Sequence, residues 1–131
     1  MDNNSQYKGG FSELDVWKEA RILKLGIIKI AKNFPPEEKY NLLDQIKRSS
    51  RSVTANIAEG YGRFNYQETT QFMRQARGSL TETYDHLFTA LDEGYISENV
   101  FGKFEQQYKK VLKLINGYIS FLQKAKKSNQ G

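Results

Sequence analysis

The sequence predicts an all-α protein: an antiparallel, up-down-up-down four-helix bundle that is oligomeric. Three observations carry this reading. Apolar residues recur at steps of three and four over four helix-length intervals, and no interval alternates in the manner of a strand. Three short breaks separate the intervals, "NFPPEE" at 33–38, "EGYGRFN" at 59–65 and "DEGYISEN" at 92–99, and short connections make consecutive helices antiparallel neighbours. The first helix also carries apolar residues (Val16, Ile22, Leu25 and Ile28) beyond those one bundle core uses, which points to burial against further copies.

The first helix is expected over 12–33, with Leu14, Trp17, Ala20, Leu23, Ile27, Ile30 and Phe34 as its stripe and Ser12 as N-cap ahead of Asp15. The second is expected over 36–59. Pro36 suits a first helical turn, whose N–H lacks a partner in any case, and Glu37 and Glu38 suit the positive end of the helix dipole. Leu43, Ile46, Ser50, Val53 and Ile57 form its seam, with small residues (Ser49, Ser50, Ser52, Ala55) in the middle. The third is expected over 66–93, opened by Asn65 as N-cap with Glu68 three residues later. Phe72, Ala76, Leu80, Thr83, Leu87 and Leu91 form its stripe, and Gly94 stands where a left-handed residue closes a helix. The fourth is expected over 98–126, capped by Ser97, with Phe101, Phe104, Tyr108, Val111, Ile115, Tyr118 and Leu122 alternating steps of three and four. Residues 1–11 and 127–131 are expected to be flexible segments, leaving 12–126 as one bundle domain.

A chain of 131 residues suits one domain and buries a core without staples. The absence of cysteine excludes disulfides and thiolate metal sites. The opening "MDNNSQYKGG" lacks the apolar core of a secretory signal, and no apolar run has the length of a bilayer span. A cytoplasmic protein with no membrane partner is expected. A di-iron bundle needs two Glu-x-x-His pairs, but the one histidine is His86 and residue 83 is threonine. A single histidine also argues against a hydrolytic triad. No catalytic residue, cofactor or metal is expected, and the protein reads as non-enzymatic.

The stretch "NIAEGYGRFNYQE" at 56–68 looks at first like a phosphate loop. It lacks the preceding strand, the third glycine and the Lys-Ser/Thr pair that such a loop uses. It reads instead as a structural corner built from Asn56, Glu59, Gly60, Gly62 and Asn65. Gly60 ends one helix, Gly62 permits a second unusual backbone angle, and Asn65 starts the next helix. Asn56 and Glu59 are weighed as latches of this corner against a binding role with Arg63, and the orphan backbone groups of a helix end favour the latch. Folding near Gly62 and Arg63 would set Ser49 level with Ala76, Ile46 with Ser79, and Arg48 with Arg77. Glu82 is then the nearest acid for the two arginines.

Charge supplies the functional signal. The formal net charge is +5 and the pI about 9.3. Residues 78–102 contain five acids and no Lys or Arg, whereas residues 103–127 contain seven lysines and one acid. Lys103, Lys109, Lys110, Lys113, Lys124 and Lys127 fall within roughly a 120° arc of the fourth helix, opposite its apolar face. A second candidate surface comprises Arg48, Arg51, Arg63, Arg74 and Arg77. Tyr61, Phe64 and Tyr66 stand beside Arg63 and can stack on bases or pack on a neighbouring subunit. Guanidinium forks grip phosphate bidentately, so Arg51, Arg63 and Arg74 are expected to outweigh Lys109, Lys110 and Lys113. RNA or DNA, bound mainly through phosphate, is the expected partner. The alternative is a protein–protein interaction scaffold with no direct nucleic-acid role, in which acidic and basic faces pair between subunits.

The residues also resemble a family. The marks are Trp17 and Ala20, "FPPEEKY" at 34–40, "LLDQIKRSSRSVTANIAEGYGR" at 42–63, Phe72, and "ARGSLTET" at 76–83. Over about 14–122 the chain resembles the small four-helix-bundle proteins encoded within intervening sequences of bacterial 23S rRNA genes. The accessory variability protein of diversity-generating retroelements belongs to the same group. The resemblance implies an antiparallel bundle assembled as a ring-like homopentamer, a basic surface associated with nucleic acid, and no known catalysis. Ser49 and Ser50 depart from it, since alanines are frequent there, and their hydroxyls need partners.

Overall fold

The computed structural model describes residues 10–130, and among them there are four α-helices and no strand. They are α1 (Asp15–Ala31), α2 (Leu42–Tyr61), α3 (Tyr66–Asp92) and α4 (Glu98–Gln130). Contacts run α1 to α2, α2 to α3, α3 to α4 and α4 back to α1, giving a square of antiparallel neighbours. Residues 1–9 and 131, parts of the segments expected to be flexible, lie outside the described residues. The stripes meet in one core: Leu23 and Ile27 from α1, Ile46, Val53 and Ile57 from α2, Leu80 and Leu87 from α3, and Val111 and Ile115 from α4. Val16, expected as surplus on the first helix, belongs to this core, while Ile22 and Leu25 stay about half exposed.

Local chemistry sets the starts of α3 and α4. Asn65 Oδ1 accepts from the backbone N–H of Gln67 at 2.8 Å and of Glu68 at 3.2 Å. Ser97 Oγ accepts from the N–H of Val100 at 3.1 Å. Gly94 closes α3 at φ +78°, the one positive φ among the described residues. α4 continues to Gln130, past its expected end near Lys126, because residues 127–130 contain no glycine or proline to stop it.

The starts of α1 and α2 differ from expectation, and tertiary contacts explain both. Ser12 is not an N-cap. It sits in a 3-10 turn, Phe11–Glu13, held by the edge of the Phe11 ring against Trp17, with centroids 5.2 Å apart. An extended Leu14 then precedes α1. Likewise Pro36–Glu38 is a separate 3-10 turn, and α2 begins only at Leu42. Glu38 decides this. One carboxylate oxygen accepts from the N–H of Leu42 at 3.1 Å, and the other accepts from the Tyr95 hydroxyl at 2.7 Å. The α1–α2 connection is thereby tied to the α3–α4 connection, and the bond to Glu38 raises the Tyr95 phenol to about 12.

The α2–α3 corner is where the sequence reading needs correcting. Gly60 does not end α2, and neither Gly60 nor Gly62 has a positive φ. Gly60 is buried inside the helix, and a Cβ there would stand 2.8 Å from Phe72 Cβ. Its hydrogen side chain lets two backbones approach, and Thr69 Oγ1 donates to the Gly60 carbonyl at 2.9 Å across the gap. Gly62 lies at φ −75°, which any residue adopts. The register is also corrected. Ser49 faces Thr83 rather than Ala76, and Ser52 faces Ser79, about two helical turns further along α3. The corner extends to Asn65 instead of folding at Gly62, and the close Gly60–Phe72 approach fixes the offset.

The three glycines Gly60, Gly62 and Gly94 give a direct stability test. Gly60→Ala should cost about 1–3 kcal/mol, because the new methyl overlaps the base of Phe72 rather than a flexible tip. Gly94→Ala should cost about 1–2 kcal/mol through its positive φ. Gly62→Ala should change stability by no more than about 0.5 kcal/mol. Urea denaturation of the three variants checks the order, and a Gly62 variant as damaged as the Gly60 variant would contradict it.

Candidate nucleic-acid interface

Each candidate cation can be followed to its surroundings. Arg48 Nη2 donates to Glu82 Oε2 at 2.6 Å, and His86 Nε2 lies 3.1 Å from the same oxygen. Burial pushes the Glu82 carboxyl up, but the hydrogen bonds from His86 and Arg48 outweigh it, and the group titrates below its ordinary value. Arg77 does not share this acid. Its Nη1 donates to Asn116 Oδ1 on α4 at 2.7 Å. Arg63 turns back on its own corner, donating to Glu59 at 2.8 Å with its guanidinium carbon 4.8 Å from the Phe72 ring centroid. Arg51 and Arg74 are exposed and have no ion pair among the described residues.

Of the two residues expected to latch the corner, Glu59 reaches it through Arg63, whereas Asn56 bonds back within α2. Asn56 Nδ2 donates to the Ser52 carbonyl at 2.9 Å and to Ser52 Oγ at 3.0 Å. Ser79 Oγ donates to the same Ser52 hydroxyl at 2.8 Å, so a polar chain links α2 to α3. Glu59 holds Arg63, as noted, instead of reaching Arg48 or Arg51.

On α4, Lys110 is paired with Glu19 of α1 at 3.3 Å. The Gln107 side chain donates to the Glu19 carboxylate at 2.9 Å and is the main reason this acid titrates below its ordinary value, against burial and with help from Lys110. Lys103, Lys109, Lys113, Lys124 and Lys127 are exposed and make no ion pair among the described residues. Glu105, the acid within the lysine-rich segment, is engaged elsewhere. It accepts from the Tyr84 hydroxyl at 2.5 Å, which raises that phenol to about 12.

One feature was absent from the sequence reading. Between α3 and α4, Gln67, Thr70, Gln71, Arg74, Gln123 and Lys126 line a polar notch of about 200 Å³ with no acid in its wall. Lys126 Nζ donates to Gln67 Oε1 at 3.3 Å, joining α4 to the start of α3 at this notch. Glutamines carry no charge and follow no pattern, and Lys126 lies off the lysine arc, so only the packing of the two helices brings them together. Among the described residues no cluster of three or more His, Asp or Glu is placed to hold a metal, and no helix is long and apolar enough to cross a membrane.

Residues 12–117, which span all of α1, α2 and α3 and the first part of α4, match the family described as 23S rRNA-intervening sequence protein. The chain belongs to this family. A structural relative supports the fold. The crystal structure, at 1.70 Å, of a protein of unknown function from the S23 ribosomal protein family of Bacteroides thetaiotaomicron VPI-5482 aligns with a TM-score of 0.74 at 22% identity. The alignment covers 80% of this chain and 95% of that one. No curated protein matches the chain. Within the 23S rRNA-intervening sequence family match lie Arg48, Arg51, Arg63, Arg74, Arg77 and the lysines from Lys103 to Lys113. Lys124, Lys126, Lys127 and Gln123 lie beyond it.

The Arg48–Glu82–His86 cluster makes stability depend on pH. The folded pKa of Glu82 is below its unfolded value, so its contribution is present above the ordinary carboxylate range and lost as pH falls through the folded value. Glu82→Gln should therefore lower the melting temperature at neutral pH, and the gap from the parent should close in acid. A gap that stays constant between neutral and acid pH would contradict the pairing.

Proposed function

We propose that this member of the 23S rRNA-intervening sequence family is a non-enzymatic homo-oligomer that binds RNA or DNA through phosphate contacts. The observation that carries the reading is the α4 stripe. Lys103, Lys109, Lys113, Lys124 and Lys127 stand in solvent without ion pairs among the described residues, and the nearby acids Glu19 and Glu105 already have partners. A row of unneutralised ammonium groups on one helix releases counterions when it meets a phosphate backbone, with little demand on base sequence. The Arg74–Lys126 notch adds two cations beside three amide side chains that can donate to phosphate or base edges.

Pairing within the fold supports a weighting opposite to the one expected from the sequence. Arg48, Arg63 and Arg77 are each engaged by a side chain of the same protomer, so two of the five arginines, Arg51 and Arg74, remain open for a ligand. Among the described residues the lysine stripe loses Lys110 alone. Exposed Ile22, Leu25, Phe64 and Phe121 support self-association, and five copies is the number the family resemblance implies. Repetition of a weak basic stripe around an assembly multiplies its contacts by avidity.

Fluorescence anisotropy with labelled structured RNA, duplex DNA and single strands tests this. Binding should fall steeply with salt concentration. The variant Lys103→Glu/Lys109→Glu/Lys124→Glu should lose about tenfold or more in affinity, and Arg51→Glu/Arg74→Glu should lose less, both compared at equal salt and oligomer mass. No binding by the parent at low salt would replace this reading with that of a protein-interaction scaffold.

A further inference from the structure

Phe64 stands at the tip of the α2–α3 connection with its full area exposed, 104% of the reference value. A phenylalanine so placed gains nothing from its own fold. On the opposite side of the square, α1 and α4 part to leave a mostly apolar groove of about 370 Å³, walled by Leu14, Val16, Leu114, Gly117, Tyr118 and Phe121. The groove has a clear origin. α1 begins only at Asp15 while α4 runs on to Gln130, so the later turns of α4 lack an α1 partner, and Gly117 leaves its floor bare. Phe121 on its wall is 64% exposed.

We infer that this groove receives Phe64 from a second copy of the chain. The inference rests on the oligomeric part of the proposed function and names its contact. An apolar cavity on the order of 150 Å³ accommodates a benzene ring, so the groove has room for the Phe64 side chain. Charge is complementary as well. Glu68 on the first turn of α3, beside the knob, is exposed without an ion pair among the described residues, and so is Lys113 on the groove wall. The wall also contains Asp15 and the corner contains Arg63, so both surfaces alternate in sign.

Topology favours the same arrangement. The knob projects from the α2–α3 side and the groove opens on the α1–α4 side, so each copy can give one knob and receive one. Such a heterologous contact builds a ring if its rotation closes and a filament if it does not. The two features lie toward the same end of the bundle. Tyr118 in the groove wall is close enough to Tyr61 of the corner for that phenol to raise it, secondarily to burial. Side-by-side copies with parallel axes therefore present knob to groove.

The chain has no cysteine, so thiols can be placed at will. Glu68→Cys and Lys113→Cys leave Phe64 and the apolar wall of the groove unchanged. After treatment with a short bismaleimide, the double variant should give a ladder of covalent oligomers on a denaturing gel. Each single variant should remain one chain, and a mixture of the two singles should stop at dimers. Light scattering separates the two readings. A parent that is oligomeric while the double variant gives no ladder overturns the knob-and-groove contact and leaves the oligomer standing. A parent that is a stable monomer at micromolar concentration overturns both. Phe64→Ser, at an exposed position, should keep its helical circular dichroism and shift toward monomer. Loss of RNA binding by Phe64→Ser with oligomer mass unchanged would assign the ring to base stacking and overturn the inference.

Discussion

A hydrogen bond of 2.8 Å between Thr83 and Ser49, both fully buried, crosses the interface of α2 and α3, and much else depends on where it sets the register. Small side chains let the helices approach, but they also bring hydroxyls into a region without water, where each must find a partner. Ser49 reaches the Ile46 carbonyl, Ser50 reaches the Lys47 carbonyl, and Thr83 reaches the Ser79 carbonyl as well as Ser49. Among the described residues no buried side-chain nitrogen or oxygen is left without a partner. A slide of α3 by one turn would break the Ser49–Thr83 and Ser52–Ser79 pairs together and drive Phe72 from the space that Gly60 leaves open.

That register distributes the positive charge. It brings Glu82 to Arg48 and directs Arg77 outward to Asn116, so arginines that look equivalent in the sequence have different freedom. The packing of α1 on α4 pairs Lys110 with Glu19 and leaves Lys109 and Lys113 without an ion pair among the described residues. The proposed phosphate surface is what remains after the fold has satisfied its own acids. A basic run in the sequence is therefore a poor measure of a basic surface until the acids of other helices are placed.

Features set within one turn of helix were legible in the sequence. Asn65 and Ser97 cap their helices because an N-cap acts on backbone groups two or three residues away, and Gly94 closes α3 for a similarly local reason. The stripes of α3 and α4 follow from helical periodicity alone. Features set across the bundle were not legible. The start of α1 depends on Phe11 meeting Trp17, and that of α2 on Glu38 meeting Tyr95, a contact between residues 57 positions apart. Gly60 departs from its expected role for a physical reason: a glycine that permits a turn and a glycine that permits close approach look alike in sequence, and only the position of Phe72 separates them. The Gln67–Arg74–Gln123–Lys126 notch lacked any signal, since its members share no motif and meet only through packing.

The claim that a buried hydroxyl pair locks α2 against α3 is open to one decisive measurement, a double-mutant cycle on Ser49→Ala and Thr83→Val by urea denaturation. The side chains touch each other at 2.8 Å, and the valine keeps the volume of the threonine it replaces. If the pair fixes the register, the two changes should be non-additive, with a coupling energy of about 0.5 kcal/mol or more. If they add to within about 0.3 kcal/mol, the hydroxyls act independently and the register must be held by the apolar core alone.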